Sequence, residues 1–155
     1  MIERTWIVNG EESVVRFAPL ARLLDVLREG LGLISVKEGC GEGECGACSV
    51  MIDGELQLTC LVAAAQLEDF AEVLTAEGLP EHALGQALAE AFDRQGAVQC
   101  GYCTPGMLLA GVSLLRREPH PTEEQIRAGL SGHLCRCTGY SAIVKAVQQA
   151  AGVKR

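Results

Sequence analysis

Gly39-Cys-Gly-Glu-Gly-Glu-Cys-Gly-Ala-Cys48 places four glycines and three cysteines in ten residues. That glycine density excludes a regular helix or strand and opens backbone torsions closed to other residues. Cys40, Cys45 and Cys48 are spaced C-x4-C-x2-C, and Cys60 stands twelve residues further on. This is the plant-type [2Fe–2S] ligand pattern. Two irons and two sulfides must be wrapped by four thiolates, with backbone N–H groups aimed at sulfur, and glycines let a loop curl closely enough. Zinc bound by four cysteines is the competing reading, but zinc sites favour paired C-x2-C knuckles over a five-residue step.

Outward from this loop the pattern is that of a small sheet domain. Thr5–Val8 and Ser13–Phe17 read as strands around Asn9-Gly10, a type I′ hairpin signal. Leu20, Leu23, Leu24, Leu27 and Leu31 recur at helical spacing. Val50–Ile52 and Leu56–Leu58 flank the turn Asp53-Gly54, and Phe70–Thr75 offers one more strand. Two hairpins with one packed helix predict an α+β domain over residues 1–76.

Ala76-Glu-Gly-Leu-Pro80 reads as a linker, and the remainder, 82–155, is helical in character. His82–Arg94 carries Leu84, Leu88, Ala91 and Phe92 on one side. Thr104-Pro105 opens a helix, apolar nearly all round and so predicted to be buried, that runs to about Arg117. Thr122-Glu-Glu-Gln125 is a capping box for a third helix, and Thr138-Gly139 opens a fourth carrying Ile143, Val144 and Val147. Short connections between four helices predict an all-α four-helix bundle.

The second half has its own thiols, Cys100-Gly-Tyr-Cys103 and Cys135-Arg-Cys137. Taken alone these also fit zinc or, for the first pair, a redox dithiol, although the surroundings are helical and not βαβ. Cys103 and Cys137 each precede a predicted helix start, where the dipole favours thiolate and an anionic cluster. Eight cysteines in all could form disulfides in a secreted chain, but Met1-Ile-Glu-Arg-Thr-Trp6 shows no secretory or twin-Arg pattern. A cytoplasmic location is the expectation. His82 and His120 read as solvated, and His133, near Cys135, as a surface residue in preference to one that tunes a cluster.

Formal charge is −7 and no basic stripe is present, so nucleic-acid binding has no support. The longest apolar helical stretch, Pro105–Leu115, is too short for membrane insertion. Mean hydropathy is +0.20, which implies either two compact cores or apolar surface kept for a partner. No Gly-x-Ser-x-Gly, Walker loop or His-Glu-x-x-His occurs, so no catalytic residue is assigned and any substrate chemistry belongs elsewhere.

Together the loop at 39–48, Gln99-Cys-Gly-Tyr-Cys-Thr-Pro-Gly106 and Leu134-Cys-Arg-Cys-Thr-Gly-Tyr140 closely resemble the iron–sulfur subunit of molybdenum hydroxylases. That family includes xanthine dehydrogenase, aldehyde oxidoreductase and aerobic carbon monoxide dehydrogenase. The match spans essentially the whole chain. The resemblance implies a β-grasp ferredoxin domain followed by the helical domain, each with a [2Fe–2S] cluster. Cys40, Cys45, Cys48 and Cys60 would hold one, and Cys100, Cys103, Cys135 and Cys137 the other, nearer molybdenum. It implies that Gln99 and Cys137 contact the pterin of a molybdenum cofactor, in its cytosine dinucleotide form. Electrons would pass from molybdenum through both clusters to FAD. The implied partners are a large molybdenum-binding and a medium FAD-binding subunit, in a hetero-oligomer such as a dimer of heterotrimers. Tyr102 stands where phenylalanine is common, a change expected to leave ligation intact. A free ferredoxin-like carrier and a zinc-stapled interaction module are the rival readings. Purine, aldehyde, N-heterocycle and carbon monoxide all remain open as substrates.

Overall fold

The structure is a computed structural model that describes residues 1–152. The last three positions of the expected second domain, 153–155, lie outside the described residues. β1 (Ile2–Val8) and β2 (Glu11–Phe17) pair antiparallel from Ile2↔Phe17 to Val8↔Glu11. β3 (Ser49–Ile52) and β4 (Glu55–Leu58) form the second hairpin. Both turns take the left-handed torsions that a type I′ hairpin demands: φ is 52° and 86° at Asn9-Gly10, and 49° and 84° at Asp53-Gly54. β5 (Glu72–Leu74) runs parallel to β1 and antiparallel to β3, joining the hairpins into one sheet of order β2-β1-β5-β3-β4. Trp6, Val8, Val15 and Phe17 point inward at period two, with the Trp6 and Phe17 rings stacked at 5.5 Å.

The helix expected over Leu20–Leu31 is shorter. It begins as α1 (Leu23–Asp25) and widens into a π-helical turn at Val26–Gly30. Arg22 cannot join it, because its backbone is extended and bridges to Ala63 while its guanidinium holds Asp25 and Glu38. Leu20 is 93% exposed and contributes nothing to the apolar face. Phe70 also falls outside its expected strand: it turns left-handed at φ 65° and stands exposed.

The stretch read as a linker is packed structure. Ala76–Glu81 forms a 3-10 helix with Gly78 and Leu79 buried. Asn9 ties it to the first hairpin, donating to Thr75 Oγ1 at 3.0 Å and accepting from the Thr75 N–H at 2.8 Å. Four helices follow: α2 (Ala83–Arg94), α3 (Thr104–Arg117), α4 (Glu123–Gly129) and α5 (Ser141–Ala150). α3 is buried on almost every side, and the Thr122/Gln125 capping box is formed. Leu88, Phe92, Met107, Ile126, Ile143 and Val147 fill the core between the helices. Met51 from β3 belongs to that same core, so sheet and helices are joined by an apolar seam as well as by the chain.

α5 starts three residues later than expected. Gly139 and Tyr140 are left-handed, with φ 66° and 69°, so a turn separates Cys137 from the helix. The Tyr140 hydroxyl pins that turn, accepting from the Cys135 N–H at 2.8 Å and donating to His133 O at 3.3 Å.

Candidate metal centres

The 39–48 loop curls around its own thiols. Gly41, Gly43 and Gly46 have φ of 71°, 82° and 72°. The N–H groups of Glu42 and Glu44 point at Cys40 Sγ from 3.4 and 3.3 Å. With that of Cys45, they lower the Cys40 thiol to about 7. Gly39 has no room for a side chain, since a Cβ there would sit 2.7 Å from Cys45 Sγ. Cys48 and Cys60 lie deeper and are buried. Burial, then the adjacent Cys48 thiol, pushes Cys60 up to about 11, against a Gly43 N–H that favours its thiolate. Cys40 thus faces Cys45, and Cys48 faces Cys60.

The second quartet assembles the same way. Cys137 Sγ lies 3.6 Å from Cys100 Sγ, too far for a disulfide, and all eight thiols are free. The Cys100 thiol raises Cys137. Cys103, at the N-terminus of α3, is pushed up to about 12 by burial and by its neighbour Cys135. Burial acts upward on Cys135 too, but the Thr138 hydroxyl, donating to its sulfur at 3.0 Å, and nearby N–H groups outweigh it and lower the thiol. Cys100 and Cys137 are exposed, while Cys103 and Cys135 are half-buried. Gln99 is exposed beside Cys100, so the two residues expected at a pterin share the outer edge of this quartet.

Among the described residues no three Cys, His, Asp or Glu side chains gather about one point as a single ion would require. Two facing pairs of thiols per site instead suit two adjacent irons, each taking two sulfur ligands. Donors aimed at sulfur, and an all-thiol set, complete the fit.

The two quartets share a wall. The Leu134 N–H donates to Cys45 O at 2.9 Å. Gly106, in the first turn of α3, meets Gly46 so closely that a Cβ would stand 2.4 Å from Gly46 O. The Tyr102 hydroxyl donates to Glu38 O at 2.7 Å. His133 corrects the sequence expectation. It is only 6% exposed and bonds Ser49 at 2.8 Å, because Tyr140 and the Cys135 turn fold its segment inward. His82 and His120 are exposed as expected. Ser49, and the contacts made here by His133 and the Tyr102 hydroxyl, were not visible in the sequence. The one signal for this wall was Gly106, a glycine inside a helix, which implies close approach of another backbone.

Residues 7–75 match the 2Fe-2S iron-sulfur cluster binding domain family, and residues 75–148 match the [2Fe-2S] binding domain family. The nicotinate dehydrogenase small FeS subunit of Eubacterium barkeri is 50% identical over 143 residues, covering 92% of this chain and 90% of that one. The crystal structure of quinoline 2-oxidoreductase from Pseudomonas putida 86 superposes with a TM-score of 0.89 at 40% identity, over 97% of this chain and 92% of that one. The aldehyde oxidoreductase of Desulfovibrio desulfuricans ATCC 27774 gives 0.90 at 40% identity, over 97% of this chain but only 17% of that longer one.

Proposed function

The chain belongs to the iron–sulfur subunits of the molybdenum hydroxylases, the group of xanthine dehydrogenase and aldehyde oxidoreductase, and on that premise we propose that it passes electrons from a molybdenum–pterin centre through two [2Fe–2S] clusters to FAD. The observation that carries this reading is the assembly of all eight thiols into two paired quartets whose loops touch. The pairs Cys40/Cys45 and Cys48/Cys60 would ligate the two irons of one cluster, and Cys100/Cys137 and Cys103/Cys135 those of the other. When bound, the clusters supply one-electron carriers that never meet substrate.

The chain's own residues prepare the ligands. N–H groups of Glu42 and Glu44 and the hydroxyl of Thr138 favour thiolate at Cys40 and Cys135, and the N-terminus of α3 acts in that direction at Cys103, against the burial and the Cys135 thiol that raise it. Burial of Cys48 and Cys60 keeps water from that half of the first site. In fold terms the sheet half is read as a β-grasp domain (1–76) and the helical half as a four-helix bundle (82–155). Gln99 and Cys137, exposed at the outer edge of the second quartet, would meet the pterin, in the cytosine dinucleotide form of the cofactor.

Partners are supported by surface chemistry. Leu61, Val98, Tyr102 and Leu134 are large, exposed apolar side chains close in sequence to cysteines of the two quartets. Apolar surface around redox sites suits protein docking, here to a large molybdenum-binding and a medium FAD-binding subunit in a cytoplasmic assembly, a dimer of heterotrimers. Among the described residues no helix is long and apolar enough to cross a membrane. The free-carrier reading leaves the helical half without a role. Capture of the tagged chain from its native host tests the proposal. Co-purification of two further chains, with molybdenum and flavin in equal amounts, is expected; a chain recovered alone, with neither, would refute it.

A further inference from the structure

Gly46 lies between Cys45 and Cys48 at the narrowest part of the wall. A Cβ there would stand 2.6 Å from Gly132 O and 2.5 Å from the His133 ring. Beside it the Ser49 hydroxyl, buried, donates its only proton to Gly46 O at 2.7 Å. Ser49 Oγ itself lies 2.8 Å from His133 Nε2. With its proton spent, Ser49 Oγ must accept, so Nε2 carries a hydrogen and donates it to Ser49. Nδ1 is buried and has no partner among the described residues, so the Ser49 bond is the one polar tie that orients the ring.

We propose that His133, acting through Ser49, is a positioning residue that fixes the separation and relative orientation of the two cysteine quartets and so sets how fast an electron passes between them. The inference rests on the two-cluster reading above. Ser49 adjoins Cys48, and His133 precedes Cys135 by two residues, so this bond joins a neighbour of one ligand set to a neighbour of the other. The Leu134 N–H reaches Cys45 O only while the 132–134 segment is held against the loop. With a cluster bound at each quartet, the exchange between them would be of a single electron, one cluster oxidised as the other is reduced, with no bond formed or broken. Its rate falls steeply with separation, which makes a rigid tie at this point consequential.

The test uses the full cluster-loaded chain and the variants His133→Ala, His133→Gln and Ser49→Ala. Glutamine retains an N–H donor. Two readouts are taken: the EPR splitting between the two reduced centres, and hydrogen–deuterium exchange at the peptide containing Leu134. Wild type and His133→Gln should share one splitting. His133→Ala and Ser49→Ala should change it, with Leu134 exchange about tenfold faster, the factor one hydrogen bond carries. Should His133→Ala not fold, Ser49→Ala, the smaller deletion, decides. Two signals with wild-type splitting and exchange in the alanine variants would overturn the positioning role. A change in His133→Ala that glutamine does not rescue and Ser49→Ala does not share would overturn it too, since ring volume alone would then matter. A wild-type chain with fewer than two signals would instead overturn the two-cluster reading, and this inference with it.

Discussion

The backbone N–H of Leu134 donates to the carbonyl oxygen of Cys45 at 2.9 Å. The residue before Cys135 is therefore bonded to the main chain of Cys45 itself. A covalent route with one hydrogen bond thus joins a thiol of the helical half to a thiol of the sheet half. The two halves meet through their cysteine loops, where an electron carrier needs them closest.

The tightness of that meeting predicts an asymmetry between two left-handed glycines. Gly46→Ala drives a Cβ into Gly132 O and the His133 ring, whereas Gly54→Ala, at φ 84°, points into open space. The second should cost about 1 kcal/mol from backbone torsion alone. The first should cost about 3 kcal/mol or more, with overpacking added. Denaturant midpoints of the two variants at equal m-value check the difference.

Single-ligand substitutions should separate the sites. Cys60→Ser is expected to halve the iron per chain and abolish one reduced EPR signal, and Cys103→Ser to halve it and abolish the other. Metal analysis with EPR reads both. Loss of the same signal in both variants would contradict the two-quartet assignment.

Tyr102→Phe tests whether the hydroxyl that reaches Glu38 O matters to ligation. The side chain is 48% exposed, so the lost hydrogen bond should cost no more than about 1 kcal/mol. Iron content should match wild type, while the melting temperature falls by a few degrees at most.

Glu77 gives a pH dependence. Burial acts against its charge, but Ser35 and Thr75, both donating to the carboxylate, win and hold its value below the ordinary 4.5. A carboxyl lowered by folding adds stability above its unfolded value and loses it as pH falls through the lowered folded value. At this exposed position screening limits the contribution to about 0.5–1 kcal/mol. Glu77→Gln should thus be less stable than wild type at pH 7, and the gap should narrow as pH falls below about 4.3, the unfolded carboxyl value, closing only below the lowered folded one. Unfolding midpoints across that range check it.

Much of this was legible in residue spacing. The two hairpin turns, the buried α3 helix and the Thr122 capping box follow from short-range rules that need no tertiary partner. The cysteine quartets were legible because cluster ligation imposes spacing within a loop. What sequence hid depended on contacts between distant segments. Leu20 has the helical period, but Arg22 is claimed by Ala63, Asp25 and Glu38. Ala76–Pro80 has linker composition, yet Gly78 and Leu79 are packed against the two halves. His133 is a polar residue in a turn, and its burial against the Gly46 loop and its bond to Ser49, 84 positions away in sequence, are contacts between distant segments.

The central claim is tested most directly by iron and acid-labile sulfide per chain in anaerobically purified protein, with an EPR spectrum after reduction. The account predicts iron and sulfide in equal amounts, enough for a [2Fe–2S] cluster at each quartet, and two distinct signals. Half that iron with one signal would leave the helical quartet without its cluster, and none at all would contradict the account outright.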